Sequence, residues 1–463
     1  MKKMNVLLLF LVSVLAACGG GKGSAPAPVA AATPAPPIGV VPPPPLDDGD
    51  GDPGLLPPVD DVPVVDGGDD IVGGTVAEGD FAIAGYAAAP ADGDDAPMAA
   101  DAPGGTDVYG ILRSVAASAR LYVSPKGADS NPGTQALPFR SIARAAKAAR
   151  AGTKVLVAPG SYSGGFRSTA SGTREARISY ISTEKWGARI VPPKNSPNKT
   201  AWDNRGSYVD IVGFHVDGTQ HQEGTRWSNG IYNGGSHDSI RNNHVHHIAH
   251  ASSCTRAGGA GIGVDSYYGG VQADVISNLV HDIGPAGCRF VQGIYVSTSG
   301  RVKNNVIYRI AEGGIHLWHD ARDVIITNNT VTASNTGIIV GGGNNYRTSG
   351  PNDNTAVYSN IVYDNKMGIS EQGKTGPNNS YRNNLVFQNS TYNWQLRNGL
   401  KHTGTVSLAP LFVADSRASK PNLKLSRSSP AIGRATSDHA ETTDFEGRPR
   451  NAKAGYDIGA YQH

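Results

Sequence analysis

One short phrase recurs six times between residues 209 and 389 of this 463-residue chain. Each copy contains an apolar run, an Asn or Asn-Asn pair, a second apolar run and a Gly-Ile step. Aligned on the second Asn, successive copies lie 35, 27, 24, 31 and 24 residues apart. A nearly fixed minimum with insertions is typical of a solenoid whose coils share a core and differ in their loops. The aligned residues are Asn243, Asn278, Asn305, Asn329, Asn360 and Asn384.

Each coil is predicted to contain three short strands, and alternation along a strand separates inward from outward side chains. The residue two after the aligned Asn is always Val or Ile, and we expect it to point inward, like the Ile of each Gly-Ile step. Asn suits the corner because it tolerates left-handed backbone angles and its amide can bond to the next coil. The outward residues beside that Ile are Tyr232, Gly263, Tyr295, His316, Ile339 and Ser370, and those two residues further on are Gly234, Asp265, Ser297, Trp318, Gly341 and Gln372.

The two ends of the folded part differ from the coils. Residues 141–150 have the pattern of a short amphipathic helix, with Ser141 as its cap and Gly152 beyond its end. The first coil of a solenoid exposes its interior, so we expect this helix to cover that open end. Residues 119–407 are assigned to the solenoid and residues 408–463, which contain no further coil, to a closing cap.

The first 118 residues have another character. Met1-Lys2-Lys3, a short apolar stretch and Leu15-Ala16-Ala17-Cys18 together resemble a bacterial lipoprotein signal. Residues 1–17 are therefore expected to be removed and Cys18 to carry lipid, and Gly19 favours the outer membrane of the cell envelope. Residues 18–118, rich in Ala, Pro, Gly and Asp, are predicted to be a disordered tether. An ordinary signal peptide and a calcium-binding role for the Asp-rich stretch are the alternatives.

Charge divides between the tether and the folded part. Residues 19–118 contain 16 acidic and two basic side chains, which leaves 37 basic and 23 acidic side chains in residues 119–463. This balance of +14 indicates an anionic partner. For an anchored surface protein, expected to be a monomer, acidic polysaccharide is favoured over nucleic acid. A basic surface without a ligand is the alternative.

The two cysteines of the folded part occupy matching places. Cys254 lies six residues after Ile248 and Cys288 lies five after Ile283, and both Ile residues end equivalent strands of neighbouring coils. The loops should stack, and an exported protein meets an oxidising compartment. A Cys254–Cys288 disulfide is therefore predicted, with two separate thiols as the alternative.

The chain resembles bacterial right-handed parallel β-helix proteins of the pectate-lyase-like superfamily. The opening LYVSPKGADSNPGTQALPFRSIARAAKAARAGTKVLVAPGSY is similar to family 9 polysaccharide lyases, and the Asn corners and the closing DFEGRPR and DIGAY agree with it. The resemblance spans residues 119–463 and implies an all-β, single-stranded, right-handed parallel β-helix with an N-terminal capping helix. The middle coils lack the family's Asp-Gly-Phe and Asp-Asp-Gly phrases, so its catalytic Lys and calcium ligands are not carried over.

The outward face of the Gly-Ile strands carries the candidate chemistry. β-Elimination of a uronate needs a group that neutralises the carboxylate, a base for the C5 proton and an acid for the leaving oxygen. His316 and Tyr295 hold the same position on successive coils, about 5 Å apart, and are the candidate base and acid. Arg289, in a loop leading to this face, is the candidate for the carboxylate.

Further side chains near this face are candidate substrate contacts. Aromatic faces and polar groups for sugars would come from Trp318, Tyr232, His319, Asp320 and Arg256. Asp265 is the candidate ligand if calcium is used, and the need for calcium or any other cofactor stays open.

Several alternatives to a lyase are compatible with these residues. A C5-epimerase shares the first proton abstraction, and a surface carbohydrate-binding or adhesive solenoid needs no chemistry. Glycoside hydrolysis ranks second, because no pair of carboxylates falls on adjacent Gly-Ile strands. His244, His246 and His247 suggest a metal cluster, but a stacked aromatic row with His281 and Tyr308 is favoured.

Overall fold

The computed structural model describes residues 119–251, residue 254 and residues 258–463. The predicted signal, lipidated Cys18 and tether lie outside the described residues, as does Arg256. No helix in the described part is long and apolar enough to cross a bilayer.

The coils form three parallel sheets, and each complete coil contributes one strand to each sheet. The bounds and counts that follow refer to the described residues. Sheet 1 has 11 strands: Ala119–Val123, Thr153–Val157, Ile178–Ser182, Val209–Val212, Asp238–Arg241, Ala273–Ile276, Gly300–Lys303, Val324–Thr327, Ala356–Tyr358, Ser380–Arg382 and His402–Thr403. Sheet 2 has nine: Gly160–Ser163, Ala188–Val191, His215–Asp217, His244–His246, Leu279–Ile283, Val306–Ile310, Thr330–Thr332, Ile361–Tyr363 and Leu385–Phe387. Sheet 3 has nine: Phe166–Ser168, Thr200–Asn204, Asn229–Asn233, Gly259–Asp265, Val291–Ser297, Gly313–Leu317, Thr336–Gly342, Met367–Gly373 and Tyr392–Gln395.

Two small sheets complete the strands of the described part. Asn195–Ser196 pairs in parallel with Glu223–Gly224, and Phe412–Ala414 pairs antiparallel with Asn422–Leu425. One helix, Ile142–Ala148, is capped by Ser141, whose hydroxyl accepts from the Arg144 amide at 3.1 Å. The predicted all-β parallel β-helix with an N-terminal capping helix is confirmed. The core is a continuous stack of buried Val and Ile side chains, joined by Ala145 and Ile142 of the helix.

The Asn ladder lies at the corner between sheets 1 and 2. Each aligned Asn is fully buried and donates to the carboxamide oxygen of the next one, at 2.9–3.1 Å from Asn243 to Asn384. The left-handed angle belongs to the preceding residue, for example φ 55° at Asn304. In an Asn-Asn pair, the first residue therefore adopts the left-handed turn conformation, and the second forms the hydrogen bond to the next coil.

Three coils precede the first Asn phrase, and the sequence repeat located only the Gly-Ile strand Asn229–Asn233 of the third. Their corners use Pro159, the segment around Trp186, and Gly213 in place of the buried Asn. The ladder still reaches back to them, because the Phe214 amide donates to the Asn243 side chain at 2.9 Å.

The segment 408–463 packs on the outer face of sheet 2. Leu423 and Phe445 join a buried cluster with Leu279, Val306 and Tyr308 of that face. This contact covers the apolar outer residues of the later coils and leaves sheet 3 uncovered by that cluster.

Candidate functional site on the outer face of sheet 3

One outward row crosses the middle of sheet 3. Asp203, Tyr232, Gly263, Tyr295 and His316 are Cα partners on successive strands, in the register that the repeat predicts from Tyr232 onward. Parallel strands lie about 4.8 Å apart, so each step along the row is short enough for neighbouring side chains to touch.

Tyr295 and His316 are brought together as predicted by the register. Their ring centroids are 5.4 Å apart in an edge-to-face arrangement. The Trp318 ring also lies edge-to-face with the His316 imidazole, with 5.7 Å between the ring centroids. Both His316 ring nitrogens are buried without a hydrogen-bond partner among the described residues. Burial lowers the pKa of His316 to about 3, with a further contribution from His319, so the imidazole is neutral near pH 7. Buried polar atoms without partners are costly and recur at functional sites.

Trp318 lies flat across the next two strands. A Cβ on Gly341 would meet the indole Cε3 at 2.6 Å, and one on Gly373 would meet Cη2 at 2.6 Å. Only glycine at these positions lets the ring approach the backbone. The half-buried indole therefore forms a floor beside His316.

Loop 343–350 stands at the carboxyl end of these strands, and Asp320 holds it. The Asp320 carboxylate accepts from the amides of Arg347 and Thr348 at 3.0 Å each and from the Ser266 hydroxyl at 2.6 Å. Although burial favours the protonated form, these hydrogen bonds keep the pKa of Asp320 below its usual value. Asp320 therefore positions a loop, a different role from the predicted substrate contact.

His319 belongs to the same loop contact. Its ring stacks on Tyr346 at 3.9 Å and its Nδ1 pairs with the Asn344 carbonyl at 2.9 Å. Tyr346 also meets Tyr267 edge-to-face at 5.2 Å. Two loops from different coils thus join into one aromatic wall above the site.

The opposite side of the row is formed by Tyr232, Arg205 and Tyr268. The Arg205 guanidinium lies 4.6 Å from the Tyr232 ring centroid and 3.3 Å from that of Tyr268. Tyr232 is only 5% exposed, so this cation covers the face that was expected to meet a sugar. Burial and the nearby Asp265 raise the pKa of Tyr232 well above 10, which keeps it protonated.

Gly263 leaves a gap between the two tyrosines of the row. From the described residues, a Cβ there would meet only Tyr232 Cδ2 at 3.6 Å and Ala260 Cβ at 3.9 Å. The space above this strand is therefore not filled by the neighbouring coils.

Asp265 serves hydrogen bonds within this face. Its Oδ1 accepts from the Ser297 hydroxyl at 2.7 Å and the Tyr267 amide at 2.9 Å. Calcium usually takes six to eight oxygen ligands. In the described part of the chain, the groups of three or more metal-ligating side chains do not include Asp265.

Arg289 lies apart from the predicted pair. It is exposed beside Cys288, just before the strand Val291–Ser297, and its positive charge acts on Glu312, whose pKa it lowers against the larger effect of burial. Val291 and Tyr295 are four steps apart along the strand, a distance of about 13 Å. The loop itself is closed by the predicted disulfide, which is present with Cα atoms of Cys254 and Cys288 4.8 Å apart.

Sequence reasoning missed Arg205 and Tyr268. Arg205 follows a strand of a coil that has no Asn phrase, so the alignment did not reach it. Tyr268 lies in the loop after Asp265, where the repeat sets no register. Extending the outward row by one coil toward the N-terminus would have found Arg205. That coil places Asp203 beside Tyr232, and Arg205 follows two residues later.

Two sequence matches to known proteins each cover a part of the chain. Residues 125–169 match a family described as a protein of unknown function, DUF1565. A 134-residue stretch is 32% identical to the uncharacterized protein YwoF of Bacillus subtilis (strain 168), and it covers 28% of this chain and only 29% of that relative.

Solved structures extend the likeness to most of the chain. The pectate lyase Pel9A matches with a TM-score of 0.50 and 17% identity over 75% of this chain and 97% of its own. A rhamnogalacturonan lyase matches with a TM-score of 0.42 and 17% identity over 69% and 97%. Identities this low show the β-helix fold alone, and function has to be argued from the site.

Proposed function

We propose that the outer face of sheet 3 binds an acidic, uronate-containing polysaccharide and cleaves it by β-elimination. The observation that carries the proposal is the row Tyr232, Gly263, Tyr295 and His316, a gap between two tyrosines followed by a buried neutral imidazole. Strands two apart are separated by roughly 10 Å, which accommodates one sugar ring above Gly263.

Arg205 is the group that meets the uronate carboxylate in this proposal. Its Nε and Nη2 donate to the Asp203 carboxylate at 2.6 and 3.2 Å, whereas its Nη1 is buried beside the Tyr232 ring without a hydrogen-bond partner among the described residues. Arg205 takes the role that the sequence analysis assigned to Arg289. Arg289 is exposed and lies just before the strand Val291–Ser297, which contains Tyr295. A cation that neutralises the carboxylate lowers the energy of the carbanion formed beside it.

The reaction then needs two proton transfers. A neutral ring nitrogen of His316 accepts the C5 proton. The C5 electron pair forms the C4=C5 double bond as the C4–O bond breaks, and the leaving oxygen takes a proton from the Tyr295 hydroxyl. Positioned acids and bases of this kind contribute about 100-fold or more each.

The test is a screen of the full chain against pectate, alginate and glycosaminoglycans. Lyase activity appears as ultraviolet absorbance of the new unsaturated uronate ends. His316→Gln and Tyr295→Phe should each lower kcat by about 100-fold or more. Ile339→Val, next to His316 in the same row, is the matched control and should keep full activity.

Other outcomes would replace the proposal. Reducing ends without absorbance indicate a hydrolase, and sugar inversion without cleavage indicates an epimerase. Binding without turnover indicates a carbohydrate-binding solenoid. Full activity in both variants would remove Tyr295 and His316 from the mechanism.

We also propose that Cys18 anchors this domain in the outer membrane through lipid. The support is the sequence Leu15-Ala16-Ala17-Cys18-Gly19 and the long acidic segment that follows. Labelled fatty acid should enter the wild-type chain and not the Cys18→Ser variant; equal labelling of the two would contradict the anchor.

A further inference from the structure

A second set of polar rings lies on the outer face of sheet 2, away from the row on sheet 3. His215 and His244 are Cα partners on adjacent strands, and His246 and His281 are partners one outward step along. We call His215, His244, His246 and His281 the imidazole cluster. It belongs to three successive coils.

The ring nitrogens of the imidazole cluster converge. His215 Nε2 lies 2.6 Å from His246 Nε2, and His244 Nε2 lies 2.7 Å from His281 Nε2. One nitrogen from each of His215, His244 and His246 falls within 4.8 Å of the others. Four zinc ligands at about 2.0–2.1 Å stand roughly 3.3 Å apart, which is inside this range.

Stacking alone does not require such convergence. The outward row that contains His246 and His281 continues with Tyr308, Thr332, Tyr363 and Phe387, whose side chains carry no nitrogen. His281 stacks on Tyr308 at 4.7 Å with nearly parallel planes. In the imidazole cluster, histidines occupy two adjacent outward rows of sheet 2. Their ring nitrogens lie 2.6–2.7 Å apart between the rows.

The surroundings prepare the imidazoles as metal ligands. His281 Nδ1 pairs with the Asp282 carboxylate at 2.6 Å, which directs its Nε2 toward the cluster. Asp217 lies 3.8 Å from His246 Nδ1. Arg189 and Arg309 bind these carboxylates from outside.

We propose that His215, His244 and His246 bind one divalent transition-metal ion of the zinc, copper or nickel class. Imidazole nitrogen suits these ions, whereas calcium and magnesium prefer oxygen. The ion would tie two neighbouring coils together on the outer face of sheet 2. The site shares no residue with the proposed lyase site, so either proposal can fail without the other.

The experiment titrates the full, untagged, chelator-treated chain with zinc chloride by calorimetry. One equivalent should bind, calcium chloride should give no such binding, and cobalt should show the intense visible bands of a low-coordinate site. His244→Gln should weaken zinc binding by 100-fold or more. His402→Gln, on sheet 1, is the matched control and should bind like the wild type.

A second measurement uses only the wild-type chain, so it still tests the proposal if His244→Gln does not fold. Zinc should protect His215, His244 and His246 of the wild-type chain from diethyl pyrocarbonate, as mapped by peptide mass, and leave His402 reactive. Equal modification with and without zinc would overturn the proposal, as would undiminished zinc affinity in folded His244→Gln.

Discussion

His316 makes stability depend on pH in a way that can be isolated. Its pKa is lowered from 6.5 to about 3, chiefly by burial, so the folded chain resists protonation that the unfolded chain accepts. The neutral imidazole therefore contributes stability above pH 6.5, and this contribution is lost as pH falls from 6.5 toward 3.

The magnitude follows from the two pKa values. Between pH 7 and pH 5, protonation of the unfolded state costs the wild type about 2 kcal/mol at this one side chain. His316→Phe keeps a ring between Tyr295 and Trp318 and removes the titrating nitrogens. The free energy of unfolding of this variant, relative to wild type, should rise by about 2 kcal/mol over the same interval.

The assay is urea unfolding followed by tryptophan fluorescence at several pH values, with the free energy taken from the midpoint and slope. The histidines of sheet 2 are present in both chains and cancel in the difference. Tyr295→Phe, which changes the neighbour without changing an imidazole, should show a difference independent of pH. An equally flat difference for His316→Phe would refute the burial of the His316 nitrogens.

Three further predictions concern the groove, the ladder and the loop. Gly263→Leu should fill the gap beside Tyr232 and raise KM for the polysaccharide at least tenfold with unchanged circular dichroism, whereas Gly263→Ala should have little effect. Asn305→Ala removes four hydrogen bonds of 2.8–3.0 Å and should cost about 4 kcal/mol in urea unfolding. The control Asn383→Gly should cost about 1 kcal/mol, because half-buried Asn383 makes one side-chain bond, to the Arg434 carbonyl, and glycine suits its φ of 52°. Asp320→Ala should speed amide exchange of Arg347 and Thr348 at least tenfold and leave the Val302 amide protected.

The repeat allowed the rows to be predicted because two periodicities act together. The buried Asn sets the register between coils, and alternation along each strand then sets the face, so Tyr295 and His316 were placed together from the sequence. Arg205 and His215 escaped because their coils turn without the buried Asn. Asp320 and Tyr232 were assigned to the correct face, but their roles were not predicted. Their partners come from loops whose paths depend on tertiary contacts.

The spacing of the repeats carries one more signal about where a groove can form. In sheet 3 the connections after Asp265, Ser297, Leu317 and Gly342 contain 7, 2, 6 and 13 residues. The first and last of these connections meet where the Arg347 guanidinium donates to the Tyr267 carbonyl at 2.6 Å. The two-residue connection after Ser297, in the coil of Tyr295, is the shortest of the four and fills less space at this edge of sheet 3 than its neighbours do. In a solenoid, the shortest loop between two long ones thus indicates where a polymer can enter, independently of the side chains found there.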